Sequence, residues 1–163
     1  MPTTKNAADA CDLLDADHKA VKKLFKSYDD LAQSKSRDAV QKKMELAQQI
    51  CLALTVHAQL EEEIFYPALR NVLKDTDLVA EAEVEHQSAK DLIGQIQSVA
   101  QPDEMFDAKV RVLGEYIDHH VKEERNEIFP KARAARKLDL VRMREELEVR
   151  KEALMTESTE AMA

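Results

Sequence analysis

The sequence predicts an all-α protein, an up-down-up-down antiparallel four-helix bundle with an additional C-terminal helix. Three observations carry that expectation. Only 2 Gly and 4 Pro occur in 163 residues, so little interrupts helix. Four long stretches place apolar residues at helical spacing. The connections between them are a few residues long, which makes consecutive helices antiparallel neighbours.

Residues 1–8 read as a flexible tail. From about Asp9 to Gln33, Leu14, Val21, Phe25 and Tyr28 recur on one stripe that also takes in His18. Ser34, Lys35 and Ser36 end that helix. A second helix is expected from about Arg37 to Val72, with Met44, Ala47, Leu54 and Phe65 on a stripe shared with His57 and Glu61. Pro67 lacks an N–H and should kink this helix or loosen its last turns.

Lys74 to Asp77 reads as a turn. The third helix, from about Asp77 to Ala100, carries Val79, Ala82, His86, Ala89, Ile93, Ile96 and Ala100 on one face. Gln101, Pro102 and Asp103 stop it, and Asp103 offers an N-cap for the fourth. There Phe106, Val110, Leu113, Ile117, His120 and Glu124 share a stripe that ends near Pro130 or a turn or two beyond. From about Asp139 to Met155, Leu140, Leu147 and Leu154 recur at heptad spacing. So few heptads fit either packing back on the bundle or a homodimer through this C-terminal helix. The domain is expected over residues 9–135, with the C-terminal helix and tail over 136–163.

Composition narrows the functions. A net charge of -8 argues against nucleic acid or an anionic membrane as partner, since either calls for a basic surface. The N-terminus lacks a signal-peptide pattern and no apolar run has the length of a membrane span, so a cytoplasmic protein is expected. Cys11 and Cys51 are two isolated thiols, read as small core or boundary residues.

The chemistry lies in an internal repeat. In VHAQLEEEIFYP, His57 is followed four residues on by Glu61 and ten on by Pro67. In HHVKEERNEIFP, His120 is followed four on by Glu124 and ten on by Pro130. DHKAVKKLF, with His18, aligns with EHQSAKDLI, with His86. Counting residues to each loop at about 1.5 Å per residue puts all four histidines in one layer, to within about a turn. Taken singly, a His with Glu four on is an ordinary solvated helix pair, and His18 or His86 alone is a hydrogen-bonded core histidine. Repetition on all four core stripes favours a dinuclear metal site. Four imidazoles and two carboxylates in a buried layer are costly without a compensating charge, and each glutamate can bridge two cations while the histidines fill terminal positions.

The neighbours have plainer readings. Glu62, Glu63, Glu123 and Glu127 are expected on a solvated face. His119 points about a quarter turn or more away from His120 and is a weaker candidate for a ligand or gate. Tyr116, one turn before His120, is a candidate hydrogen-bond donor to the site, with boundary packing as the simpler role.

These four segments together resemble the signature segments of hemerythrin-like (HHE) domains, over about residues 11 to 135. The resemblance implies a non-haem, oxo- or hydroxo-bridged pair of iron ions in a four-helix bundle, with His18, His57, Glu61, His86, His120 and Glu124 at the family's ligand positions. Six N/O ligands fit manganese or zinc as well. Two departures from the oxygen-carrying hemerythrins stand out. Their second third-helix histidine is replaced by Ala82, and their last bridging acid, an Asp five residues after its His, is replaced by Glu124 at four. The first leaves an open metal position unless Glu83, His119 or water fills it. The function implied is binding of dioxygen or a related small ligand such as peroxide or nitric oxide. The rivals are an enzyme that turns over peroxide or nitric oxide and an oxygen or iron sensor signalling through the C-terminal helix.

Overall fold

A computed structural model describes residues 8–162; residues 1–7 of the expected tail lie outside them. Every regular element among the described residues is helical. They are α1 (Ala10–Ala32), α2 (Ala39–Leu60), α3 (Tyr66–Val72), α4 (Asp77–Gln97), α5 (Glu104–Glu123), α6 (Phe129–Ala134) and α7 (Leu140–Met162). Two π-helical turns, Glu61–Phe65 and Glu124–Ile128, join α2 to α3 and α5 to α6 without a break. No helix among the described residues is long and apolar enough to cross a membrane.

Local chemistry sets the helix starts. Asp9 caps α1 by accepting from the Asp12 N–H while the Asp12 carboxylate accepts from the Asp9 N–H, which satisfies two donors that the first turn leaves open. Asp103 accepts from the Phe106 N–H and caps α5, as the sequence predicts. The prolines act upstream of where a kink is expected. Pro67 and Pro130 each follow a widened turn in which the N–H of Tyr66 or Phe129 bonds the carbonyl of Glu61 or Glu124, five residues back. The wider turn absorbs the missing proline N–H and the crowding of its ring against the preceding carbonyl without breaking the rod.

The apolar core forms two clusters. One contains Leu14, Leu60, Phe65, Tyr66, Leu69, Val79, Ile128 and Phe129. The other contains Val21, Tyr28, Ile50, Leu54, Ile93, Phe106 and Leu113. Each long helix passes from one cluster to the other at its histidine: His18 lies between Leu14 and Val21, His57 between Leu54 and Leu60, and His86 and His120 likewise on α4 and α5. A buried polar layer therefore separates two dry regions. Tyr28 donates to Asp107 at 2.6 Å, with Lys43 on the same carboxylate, and ties α1 and α2 to α5 at the far end.

The C-terminal helix runs to Met162, longer than the heptad pattern predicts, and packs against α1 and α2. Leu140, Met143, Leu147 and Leu154 are buried in the first cluster, so its apolar seam is consumed within the chain. Cys11 and Cys51 are buried free thiols. Burial pushes both up, to about 12 and about 11, and keeps them protonated and inert.

Candidate metal centre

The six residues singled out from the repeat come together in the polar layer. His18, His57, His86 and His120 are 4–6% exposed, and Glu61 and Glu124 are fully buried. They fall into two groups of two histidines and one glutamate: His18, His57 and Glu124, and Glu61, His86 and His120. Within the groups the Nε2 atoms of His18 and His57 lie 3.1 Å apart, and those of His86 and His120 lie 3.2 Å apart.

Both carboxylates span the groups. Glu61 Oε1 is 3.1 Å from His57 Nε2 and 3.2 Å from His86 Nε2. Glu124 Oε1 is 3.1 Å from His18 Nε2 and 3.0 Å from His120 Nε2. Despite these separations, both oxygens of Glu61 and Oε2 of Glu124 have no hydrogen-bond partner. At Glu61 Oε1 the nitrogens are close but not aligned. Orphaned buried carboxylate oxygens are costly, and carboxylate oxygens converging with ring nitrogens are the arrangement a cation requires. Donors on one cation at bonds of about 2.0–2.1 Å stand roughly 3 Å apart, so the donor set fits a metal pair.

Without a cation the layer balances its charge with protons. Burial disfavours an imidazolium at His57, but Glu61 and Asp17 outweigh it and hold the pKa at about 10. Burial is likewise overcome at His120 by Glu124, Glu61 and Glu85, and its pKa reaches about 12. Glu61 is held well below the usual carboxylate range, against its burial, by His57 and the other groups facing it.

Each histidine turns its other nitrogen to an acid. Nδ1 of His18 is 3.2 Å from Asp15, that of His57 3.2 Å from Asp17 and that of His120 3.5 Å from Glu85, all hydrogen-bonded, whereas that of His86 is 3.5 Å from Glu62 without a hydrogen bond. Such partners fix ring orientation and raise ligand basicity. Three of these acids carry a basic side chain behind them: Arg125 on Asp15, Lys151 on Asp17 and Lys90 on Glu62. Glu62, expected on a solvated face, is thus drawn in between His86 and Lys90. Asp17 and Glu85 have a signal in the sequence, since each directly precedes a histidine in the aligned DH and EH segments. Each one holds the histidine of the following long helix, which that alignment alone does not reveal.

The remaining candidates lie elsewhere. Tyr116 is 49% exposed. Glu83 pairs with the Arg70 guanidinium through two bonds at the surface. The His119 side chain is 68% exposed, beside Glu85 and Glu123. The tyrosine at the site is Tyr66, whose hydroxyl is 3.4 Å from His86 Nε2 and 3.3 Å from His120 Nε2. The widened turn puts it there: Tyr66 is five residues after Glu61, the step that one π turn brings back to the same face. A count at 3.6 residues per turn places Phe65 there instead. Ala82 is fully buried in the same apolar cluster as Tyr66.

A family model described as the hemerythrin HHE cation-binding domain matches residues 9–132. A DNA nickase from Nostoc sp. (strain PCC 7120 / SAG 25.82 / UTEX 2576) is 32% identical over 118 residues, a match covering 72% of this chain and 32% of that protein. The chain therefore aligns with about a third of the length of that relative. The crystal structure of a hemerythrin HHE cation binding domain-containing protein, the Rv2633c homolog from Mycobacterium kansasii, superposes with a TM-score of 0.74 at 20% identity, covering 93% of this chain and 90% of that one. At that identity the likeness is one of fold.

Proposed function

The chain belongs to the hemerythrin HHE cation-binding family, and we propose that it holds a bridged pair of non-haem iron ions and binds dioxygen or a related small ligand beside them. In this reading α1, α2, α4 and α5 form the up-down-up-down antiparallel bundle of a cytoplasmic protein, in keeping with its two buried free thiols. The observation that carries the proposal is the pair of fully buried glutamates that each reach histidines of both groups. Manganese and zinc fit the same donors; iron is what the resemblance to hemerythrin-like domains implies.

The residues around the site select the ligand by size. A cavity of about 30 Å³ adjoins the four histidines and is walled by Val21, Leu54, Ile93 and Ile117. One water needs roughly 10–15 Å³ by such a measure, so a molecule of two or three heavy atoms fits and an organic substrate does not. The apolar wall excludes bulk water and leaves binding to the metal side. Asp15, Asp17, Glu62 and Glu85 orient the imidazoles, and the Tyr66 hydroxyl stands ready to donate a proton or hydrogen bond on the side of His86 and His120. Nicking of DNA is no part of this proposal, since the chain spans about a third of the nickase and carries a net charge of -8.

Tyr66 also favours a second reading, turnover of peroxide or nitric oxide, because a proton donor beside the site assists reduction more than storage. The contact from α7 to Asp17 favours a third, a sensor whose state is passed to the C-terminal helix. Metal analysis joined to optical spectra of the reduced protein under anaerobic conditions and then in air tests the central reading. Two irons per chain and a reversible visible band are expected, both lost in His120→Ala. Irreversible oxidation with steady peroxide consumption moves the assignment to the enzyme, and a colourless zinc protein overturns the iron assignment.

A further inference from the structure

Four carboxylates face the four histidines, and the four are not alike. Asp15, Asp17 and Glu62 each pair with an arginine or lysine. Glu85, behind His120, has no arginine or lysine within ion-pair distance among the described residues. In the place such a cation would take stand His119 and Glu123. His119 Nε2 is 3.5 Å from Glu85 Oε2 and 3.5 Å from Glu123 Oε1, and one ligand atom from each of the three residues lies within 4.8 Å of the others. The two carboxyl groups are about a quarter exposed.

We propose that Glu85, His119 and Glu123 form a third cation site, which takes a hydrated divalent metal ion from solvent at the outer edge of the dinuclear centre. One imidazole and two carboxylates are a borderline N/O set suited to manganese, iron(II) or zinc. Water completes the coordination, because His119 is largely exposed. The ion does at Glu85 what Arg125, Lys151 and Lys90 do at the other three acids: it supplies the missing positive charge. It also ties α4, which carries Glu85, to α5, which carries His119 and Glu123 one turn apart. The place of Glu85 behind His120 follows from the dinuclear reading, but the three donors stand together without it.

The test uses the full-length iron-loaded protein, with manganese(II) as the probe. Loss of the free-ion electron paramagnetic resonance signal is followed on titration into wild type, Glu123→Gln and His119→Ala. Neither variant touches the six inner residues, and an unchanged melting curve shows that each folds. Wild type is expected to take up one manganese per chain at least about tenfold more tightly than either variant, with the iron content equal in all three. Equal manganese binding in all three proteins overturns the proposal. Release of iron in proportion to the manganese bound overturns it as well. If no protein holds iron but manganese uptake still depends on Glu123, the third site stands and the dinuclear reading falls.

Discussion

Lys151→Met separates a role in the metal centre from a role in holding α7 down. Lys151 lies beyond the family match at residues 9–132, yet its ammonium pairs with Asp17, whose other oxygen is 3.2 Å from His57 Nδ1. The lysine side chain is 40% exposed and Asp17 13%. Solvent screens such a pair, and its direct share of stability is roughly 0.2–1 kcal/mol. Methionine keeps the apolar stem that packs on α1 and α2, so the metal-free protein should lose at most about 4 °C of melting temperature. Metal affinity should fall much further. Freed from Lys151, Asp17 holds the His57 ring less firmly, and loss of such a contact costs about 10–100-fold in affinity, or roughly 1.4–2.7 kcal/mol. Competition with a chromophoric chelator reads the affinity, and thermal melts of the metal-free protein read the stability. Lys151→Arg should restore most of the affinity. Affinity within twofold of wild type in Lys151→Met refutes the argument, as does a metal-free melt that falls by the same free energy as the affinity.

Two further outcomes follow from the site. His57 and His120 are raised from 6.5 to about 10 and about 12, so the metal-free protein holds both protons at pH 8 and loading should release about two protons per chain. Calorimetry in buffers of different ionisation enthalpy measures this, and release of less than half a proton contradicts it. The same sign means that the stabilisation of the metal-free fold by His57 is fully present below pH 6.5 and lost as pH rises through about 10. Tyr66→Phe should leave two metals bound but slow any peroxide consumption by roughly 100-fold, the usual scale of a lost proton donor; an unchanged rate removes Tyr66 from the chemistry.

The parts of the site legible in the sequence are those that obey a single helical period. His57 and Glu61, like His120 and Glu124, lie four residues apart, so the period brings each pair together whatever happens downstream. The choice of His120 over His119 by its distance to Pro130 agrees with their burial, 4% for His120 against a largely exposed His119. Past each glutamate the period changes. The π turn rotates the following helix relative to an unbroken α count, which is why Tyr66 escapes a stripe drawn through Phe65. Glu62 escapes for a different reason: it is displaced from the metal face, and only the placement of His86 and Lys90 on a separate helix turns it inward. Tyr116 is 49% exposed because it sits at the edge of the stripe on which Leu113 and His120 are buried.

The repeat that builds the centre also makes its halves unequal. Glu61 and Glu124 each open a π turn, and in each the residue five positions on is carried back over the polar layer. In the first turn that residue is Tyr66, which brings a hydroxyl to His86 and His120. In the second it is Phe129, whose ring stacks on His18 at 6.0 Å and brings no polar atom. The donor sets are matched, two imidazoles and one carboxylate each, so in the proposed centre a difference between the two metal positions would come from what lies over them. The group at His86 and His120 has the phenol and, through Glu85, the one histidine-holding acid without a basic side chain behind it. The group at His18 and His57 has a phenyl ring and two acids already neutralised by Arg125 and Lys151. In the proposed centre the phenol would therefore supply a proton at the first position and not at the second.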